Sequence, residues 1–165
     1  MSNQSIREFF QADHQRLDDL FRRYRDTKGT EHSLARKLFH EFLVGLQRHI
    51  VWEEEVLFPL WERRTGMSDG GPTEVMRGEH RQIRAILEAM DHKVQQGNFQ
   101  TDSEEADLLN VLSLHNIKEE RVLYPAIDQV ASEEDRATVF RAIETGPDER
   151  ESAPCQTADV PAAEG

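Results

Sequence analysis

A single cysteine, Cys155, excludes an internal disulfide and any thiolate cluster, so a metal bound here would need nitrogen and oxygen ligands. No stretch approaches the run of about 18 apolar residues that a membrane span requires. Basic residues are scarce relative to acidic ones, 20 Lys and Arg against 32 Asp and Glu, and the net charge of −12 is offset by no basic stripe. Phosphate backbones and anionic lipid would be repelled, so neither nucleic acid nor a membrane is expected as a partner. The polar start, Met1 to Gln4, has no signal-peptide pattern, and the cytoplasm is the expected location. No strand-like alternation occurs anywhere.

What the chain does have is helical periodicity. Ser5 and Glu8 form a capping-box pattern, after which Ile6, Phe10, Leu17, Phe21 and Tyr24 recur at helical spacing up to a turn near Gly29. A second stretch runs from about Glu31 to Arg64 and breaks at Gly66, Gly70, Gly71 and Pro72. The third spans Thr73 to Gln96 and ends at Gly97, and the fourth spans Ser103 to Val130. Ser132 and Asp135 suggest a short capped fifth helix to about Thr145. The expected fold is all-α, an up-down-up-down antiparallel four-helix bundle over residues 1–145 with that fifth helix, followed by a disordered acidic tail over 146–165.

The chain also repeats itself. The segment HIVWEEEVLFP from His49 and the segment HNIKEERVLYP from His115 share six of eleven positions at an offset of 66 residues. The same offset carries His14 to His80, Glu53 to Glu119 and Pro59 to Pro125. Two hairpins, about 5–64 and 72–130, thus each bear a lone histidine on the first helix and His-x-x-x-Glu on the second. Residues four apart share a helix face, and both pairs fall within the apolar stripe, with Phe42, Leu46 and Leu60 beside His49 and Leu108 and Leu112 beside His115. Two carboxylates and four imidazoles aimed into a core cost several kcal/mol unless something neutralises them. A pair of cations does so, and this donor set suits iron, manganese, cobalt or zinc better than calcium or copper(I). His32, His40 and His92 fall off the ligand faces and read as surface residues, as do Glu54, Glu55 and Glu120. Trp52 and Trp61 read as packing, and Phe10, Phe42 and Leu112 as residues that could keep a metal pocket dry.

The order His14, His49-x-x-x-Glu53, His80, His115-x-x-x-Glu119 resembles the hemerythrin-like, or HHE cation-binding, family over about residues 5 to 145. The resemblance implies two iron ions, with manganese or zinc less favoured. His14 and His49 would hold one, His80 and His115 the other, with Glu53, Glu119 and an oxo or hydroxo group bridging. It further implies a small ligand, namely oxygen, nitric oxide or peroxide, or else a role as iron reservoir, sensor or repair protein for iron centres. Two departures from the oxygen carriers of the family stand out: Arg84 occupies the place of their extra third-helix histidine, and Glu119 at four residues replaces an Asp at five. Asp18 corresponds to Arg84 in the repeat, so these two are expected either to form an ion pair across the pseudo-twofold near the metals, with the Arg84 guanidinium close to any bound anion, or to reach solvent separately.

Overall fold

The computed structural model describes residues 4–146, and all but the first residue of the expected disordered tail, including Cys155, lies outside them. Helix α1 (Ile6–Thr27) starts at Ser5, whose side chain accepts from the Glu8 backbone while the Glu8 carboxylate accepts from the Ser5 backbone. Its first two amides, Ile6 and Arg7, also donate to the Asp128 carboxylate at 2.9 and 3.0 Å, which ties the helix start to the far end of the chain. α2 (His32–Trp52) runs through a π-helical turn, π1 (Glu53–Leu57), into α3 (Phe58–Thr65). α4 (Pro72–Gln95) leads to α5 (Asp102–Lys118), which passes through π2 (Glu119–Leu123) into α6 (Tyr124–Val130). α7 (Glu133–Thr145) follows, with a complete capping box between Ser132 and Asp135. Among the described residues there is no strand, and the protein is the expected all-α bundle, α1 packed on α2 and α4 on α5.

The second and fourth bundle helices are therefore not uniform, and the cause is local. Pro59 and Pro125 have no N–H, and a proline ring inside an α-helix crowds the carbonyl four residues back. A wider turn just ahead relieves this: the Phe58 amide donates to Glu53 O and the Tyr124 amide to Glu119 O, five residues back in each case. Both π turns begin at a glutamate of the repeat, and they obey its 66-residue offset.

The core has two apolar clusters. One contains Leu17, Phe21, Tyr24, Leu46, Ile50, Ile83, Leu87, Leu108 and Leu112; the other contains Ile6, Phe10, Trp52, Phe58, Met76, Leu123, Tyr124 and Ile127. On each helix a histidine of the repeat falls where one cluster gives way to the other: His14 between Phe10 and Leu17, His80 between Met76 and Ile83, His115 after Leu112 and His49 between Leu46 and Trp52. The bundle thus holds a polar layer sealed by apolar layers on both sides. α7 completes one seal with buried Val139 and with Phe140, whose ring sits 5.5 Å from that of Phe9.

Candidate metal centre

All six residues of the repeat converge in that layer, and each is buried, between 0% and 4% exposed. His14 Nε2 lies 3.3 Å from Glu119 Oε2, and His49 Nε2 lies 3.6 Å from Glu53 Oε1. On the other side His80 Nε2 lies 3.1 Å from Glu53 Oε2, and His115 Nε2 lies 2.9 Å from Glu119 Oε1. Each carboxylate therefore turns one oxygen to each histidine pair, which is the arrangement of a bridge. Glu53, His80, His115 and Glu119 form one compact donor group, and His14, His49 and Glu119 form another. Glu53 Oε2, Glu119 Oε1 and His80 Nε2 are buried without a hydrogen-bond partner among the described residues. Orphaned donors of this kind, nitrogen and oxygen only, fit a pair of borderline cations such as iron.

The imidazoles are held from behind. Nδ1 of His14 lies 2.8 Å from Glu120 Oε1, that of His49 2.8 Å from Asp13 Oδ2, that of His80 2.9 Å from Glu54 Oε1, and that of His115 2.8 Å from Glu79 Oε2. A carboxylate only accepts, so Nδ1–H donates, which fixes the tautomer and leaves Nε2 to face the centre. These partners obey the repeat as well: Asp13 matches Glu79 and Glu54 matches Glu120, all at 66 residues.

Glu54 and Glu120, expected on the surface, are thus working partners of the histidines, and Asp13 and Glu79 went unnoticed in the sequence. Glu54 does point away from its own helix's histidine. In a bundle, however, that direction leads to the next helix rather than to water, and it meets His80 there. Glu55, His32, His40 and His92 are exposed as expected. Phe10 sits edge-on to His49 at 5.2 Å, in keeping with a dry pocket, whereas Phe42 stacks on Phe21 at 4.7 Å within the other cluster.

The expected pair between Asp18 and Arg84 does not form. Arg84 reaches Glu54 instead, Nη2 to Oε2 at 2.9 Å and Nη1 to Oε1 at 3.2 Å, because that carboxylate is already held beside it by His80. Its guanidinium steadies an outer carboxylate and does not aim at the centre. Asp18 stays exposed, its carboxyl pushed up by partial burial, which the neighbouring His14 opposes and Glu120 reinforces. Lys118 backs Glu79, and Arg16 backs Asp13 at 2.8 Å.

One residue at the centre was not singled out in the sequence. The Tyr124 hydroxyl lies 2.5 Å from Glu53 Oε1, 2.9 Å from Glu119 Oε2 and 3.4 Å from both His14 Nε2 and His49 Nε2. Its repeat counterpart is Phe58, stacked 5.7 Å from His80 at 10°. The signal was present, a Tyr where its copy has Phe, but both read as packing.

In the metal-free chain, protons take the part of cations. Burial opposes the charged imidazole at His49, yet Glu53, Asp13 and Glu119 outweigh it and raise its pKa to about 10. At His115 burial is likewise outweighed, by Glu119, Glu53 and Glu79, to about 9. Burial alone would raise the Glu53 carboxyl, but His49 and His80 hold it well below the usual range. The layer demands positive charge.

Comparison with known proteins agrees with this geometry. The chain is 36% identical over 69 residues to the iron-sulfur cluster repair protein YtfE of Cronobacter sakazakii (strain ATCC BAA-894), an alignment covering 41% of this chain and 30% of that protein. This match therefore spans less than a third of the relative's length. No solved structure matches. Residues 5–127 match the family described as the Hemerythrin HHE cation binding domain. With four histidines and two glutamates gathered at the centre of its bundle, this chain belongs to the hemerythrin HHE cation-binding domain family.

Proposed function

We propose that this protein holds two iron ions, His14 and His49 on one, His80 and His115 on the other, with Glu53 and Glu119 bridging, and that the pair binds or reacts with oxygen, nitric oxide or peroxide. The observation that carries the reading is the set of orphaned atoms, Glu53 Oε2, Glu119 Oε1 and His80 Nε2, buried where no lysine or arginine among the described residues reaches them. Bound iron would supply redox chemistry and coordination positions for a small ligand.

The rest is done by the chain. The four outer carboxylates orient the imidazoles and raise their basicity as ligands. Phe10 and Phe58 pack against His49 and His80 and keep bulk water out. Because every proposed ligand is at most 4% exposed, the layer admits a molecule of a few atoms and excludes a metabolite-sized substrate. Arg84 cannot ligate, so no fifth histidine saturates the His80 and His115 side.

A role in iron storage, sensing or repair of iron centres is the second reading, and the similarity to a protein named for iron-sulfur cluster repair favours it. No helix among the described residues is long and apolar enough to cross a membrane, and the net charge of −12 speaks against a nucleic-acid partner. Anaerobic titration of the reduced, iron-loaded protein with oxygen, nitric oxide and peroxide separates the readings. A reversible optical adduct or catalytic turnover supports the first reading, release of iron supports the second, and optical silence toward all three contradicts the first.

A further inference from the structure

The two halves of the centre differ in one group. Across the repeat, His14 answers to His80, His49 to His115, Glu53 to Glu119 and each outer carboxylate to its copy, yet Tyr124 answers to Phe58. Tyr124 is 0% exposed, and π2 with the first turn of α6 delivers its hydroxyl back over Glu119, five residues earlier. That hydroxyl is surrounded by one oxygen from each bridging glutamate, at 2.5 and 2.9 Å, and by the two nitrogens His14 Nε2 and His49 Nε2, both at 3.4 Å. A phenol has one hydrogen to donate, and it cannot serve both carboxylates fully. Ligands about 2.1 Å from a shared ion lie from about 3.0 Å apart at a right angle to about 4.2 Å apart when opposite. The 3.4 Å separations to the two nitrogens fall within that span, the 2.5 and 2.9 Å separations to the glutamates are hydrogen-bond contacts that a shared ion would have to lengthen, and the Phe58 ring offers the other half no donor atom.

Resting on the di-iron reading above, we propose that Tyr124 is a seventh protein ligand, its oxygen binding the metal held by His14 and His49. On binding ferric iron the Tyr124 O–H bond breaks heterolytically as the oxygen–metal bond forms. The proton passes to solvent and no electron moves. One metal position is thereby closed by the protein, and the other, beside Phe58, takes the exogenous ligand. The near-symmetric ligand set thus gives an unsymmetric centre, in which a small molecule binds end-on at the His80 and His115 side.

The full chain loaded with ferric iron tests this, with iron counted before any spectrum is taken. The wild type is expected to show the visible phenolate-to-iron charge-transfer band and, on excitation in it, resonance-enhanced tyrosine ring modes that shift when the protein is grown on ring-deuterated tyrosine. Tyr124→Phe should keep its iron and lose the band, and it should bind a second azide where the wild type binds one. Tyr24, the other tyrosine of the chain, is bonded to Thr101 at the opposite end of the core and gives no such signal. An iron-loaded wild type with no tyrosine mode overturns the proposal and leaves the di-iron reading intact, as does a band that survives Tyr124→Phe. A chain that takes up no iron overturns both.

Discussion

Glu105 and Glu119 lie on the same helical segment of the bundle, 3% and 0% exposed, yet among the described residues only Glu105 is met by lysine and arginine. Glu105 accepts from Lys28 Nζ at 2.5 Å, Arg25 Nε at 3.0 Å and Thr101 Oγ1 at 2.7 Å, and the Tyr24 hydroxyl closes the network on Thr101 at 2.8 Å. Among the described residues the only basic partners of Glu119 and Glu53 are histidines, and one oxygen of each is left without a hydrogen bond. Burying a carboxylate costs several kcal/mol unless it is paired, so both regions face the same electrostatic demand. The Glu105 end meets it with covalently attached cations and is complete as folded. The histidine layer meets it with groups that also ligate metals, and its folding energy is therefore coupled to what the cell supplies.

Removing a bridging carboxylate gives the sharpest way to break the contrast. Glu53→Ala should abolish stable metal binding and with it the linkage stabilisation, about 4 kcal/mol when free metal stands at a thousand times its dissociation constant. Differential scanning calorimetry should show a large drop in melting temperature for the metal-loaded form and a much smaller one for the metal-free form. Glu105→Ala should behave oppositely in its dependence on metal. It takes a buried partner from Lys28, Arg25 and Thr101, leaving Lys28 to Asp102 and Thr101 to Tyr24, and should cost about 3 kcal/mol by denaturant titration, equally with and without metal.

The outer carboxylates come next. Glu54→Gln or Glu120→Gln should weaken metal affinity by about 10- to 100-fold in competition with a chelator, while leaving the metal-free melting temperature nearly unchanged. The pH dependence of the metal-free protein follows from the histidines. Their folded pKa values, about 10 for His49 and about 9 for His115, stand above the ordinary imidazole value of about 6.5. The stability they contribute is complete below about pH 6.5 and is lost as pH rises through about 9 to 10. The metal-loaded protein should lack this loss, and metal uptake near neutral pH should release protons, measurable with a pH indicator in weak buffer. The smallest effect belongs to the surface. Arg84→Gln breaks a pair whose guanidinium is 40% exposed and should cost under about 1 kcal/mol. Combined with Asp18→Asn it should be additive, since Arg84 pairs with Glu54 and Asp18 does not touch it; coupling in that double-mutant cycle would restore the pair expected from sequence.

Much of this centre was readable before any coordinates. His14, His49, Glu53, His80, His115 and Glu119 stood out because duplication repeats them at one offset, and identity at a fixed spacing needs no knowledge of packing. Asp13 and Glu79 escaped because the repeat preserves their charge but not their side chain. Glu54 and Glu120 escaped because a helical projection locates a residue relative to its own axis and is silent about the neighbouring helix. The π turns were encoded in Phe58-Pro59 and Tyr124-Pro125, prolines inside otherwise unbroken periodicity, where a continuous α-helix would have clashed. Tyr124 was hidden by its own ring, which fills a packing position just as Phe58 does while its hydroxyl reaches the polar layer.

The most direct measurement is metal analysis of the purified protein after iron-replete expression, paired with melting curves of the loaded and chelated forms. The account predicts about two irons per chain and a melting temperature that falls when they are removed. Zinc in place of iron would contradict the iron assignment. A chain that carries no metal and melts at the same temperature with or without added iron would show that the histidine layer, like the Glu105 end, is complete as folded.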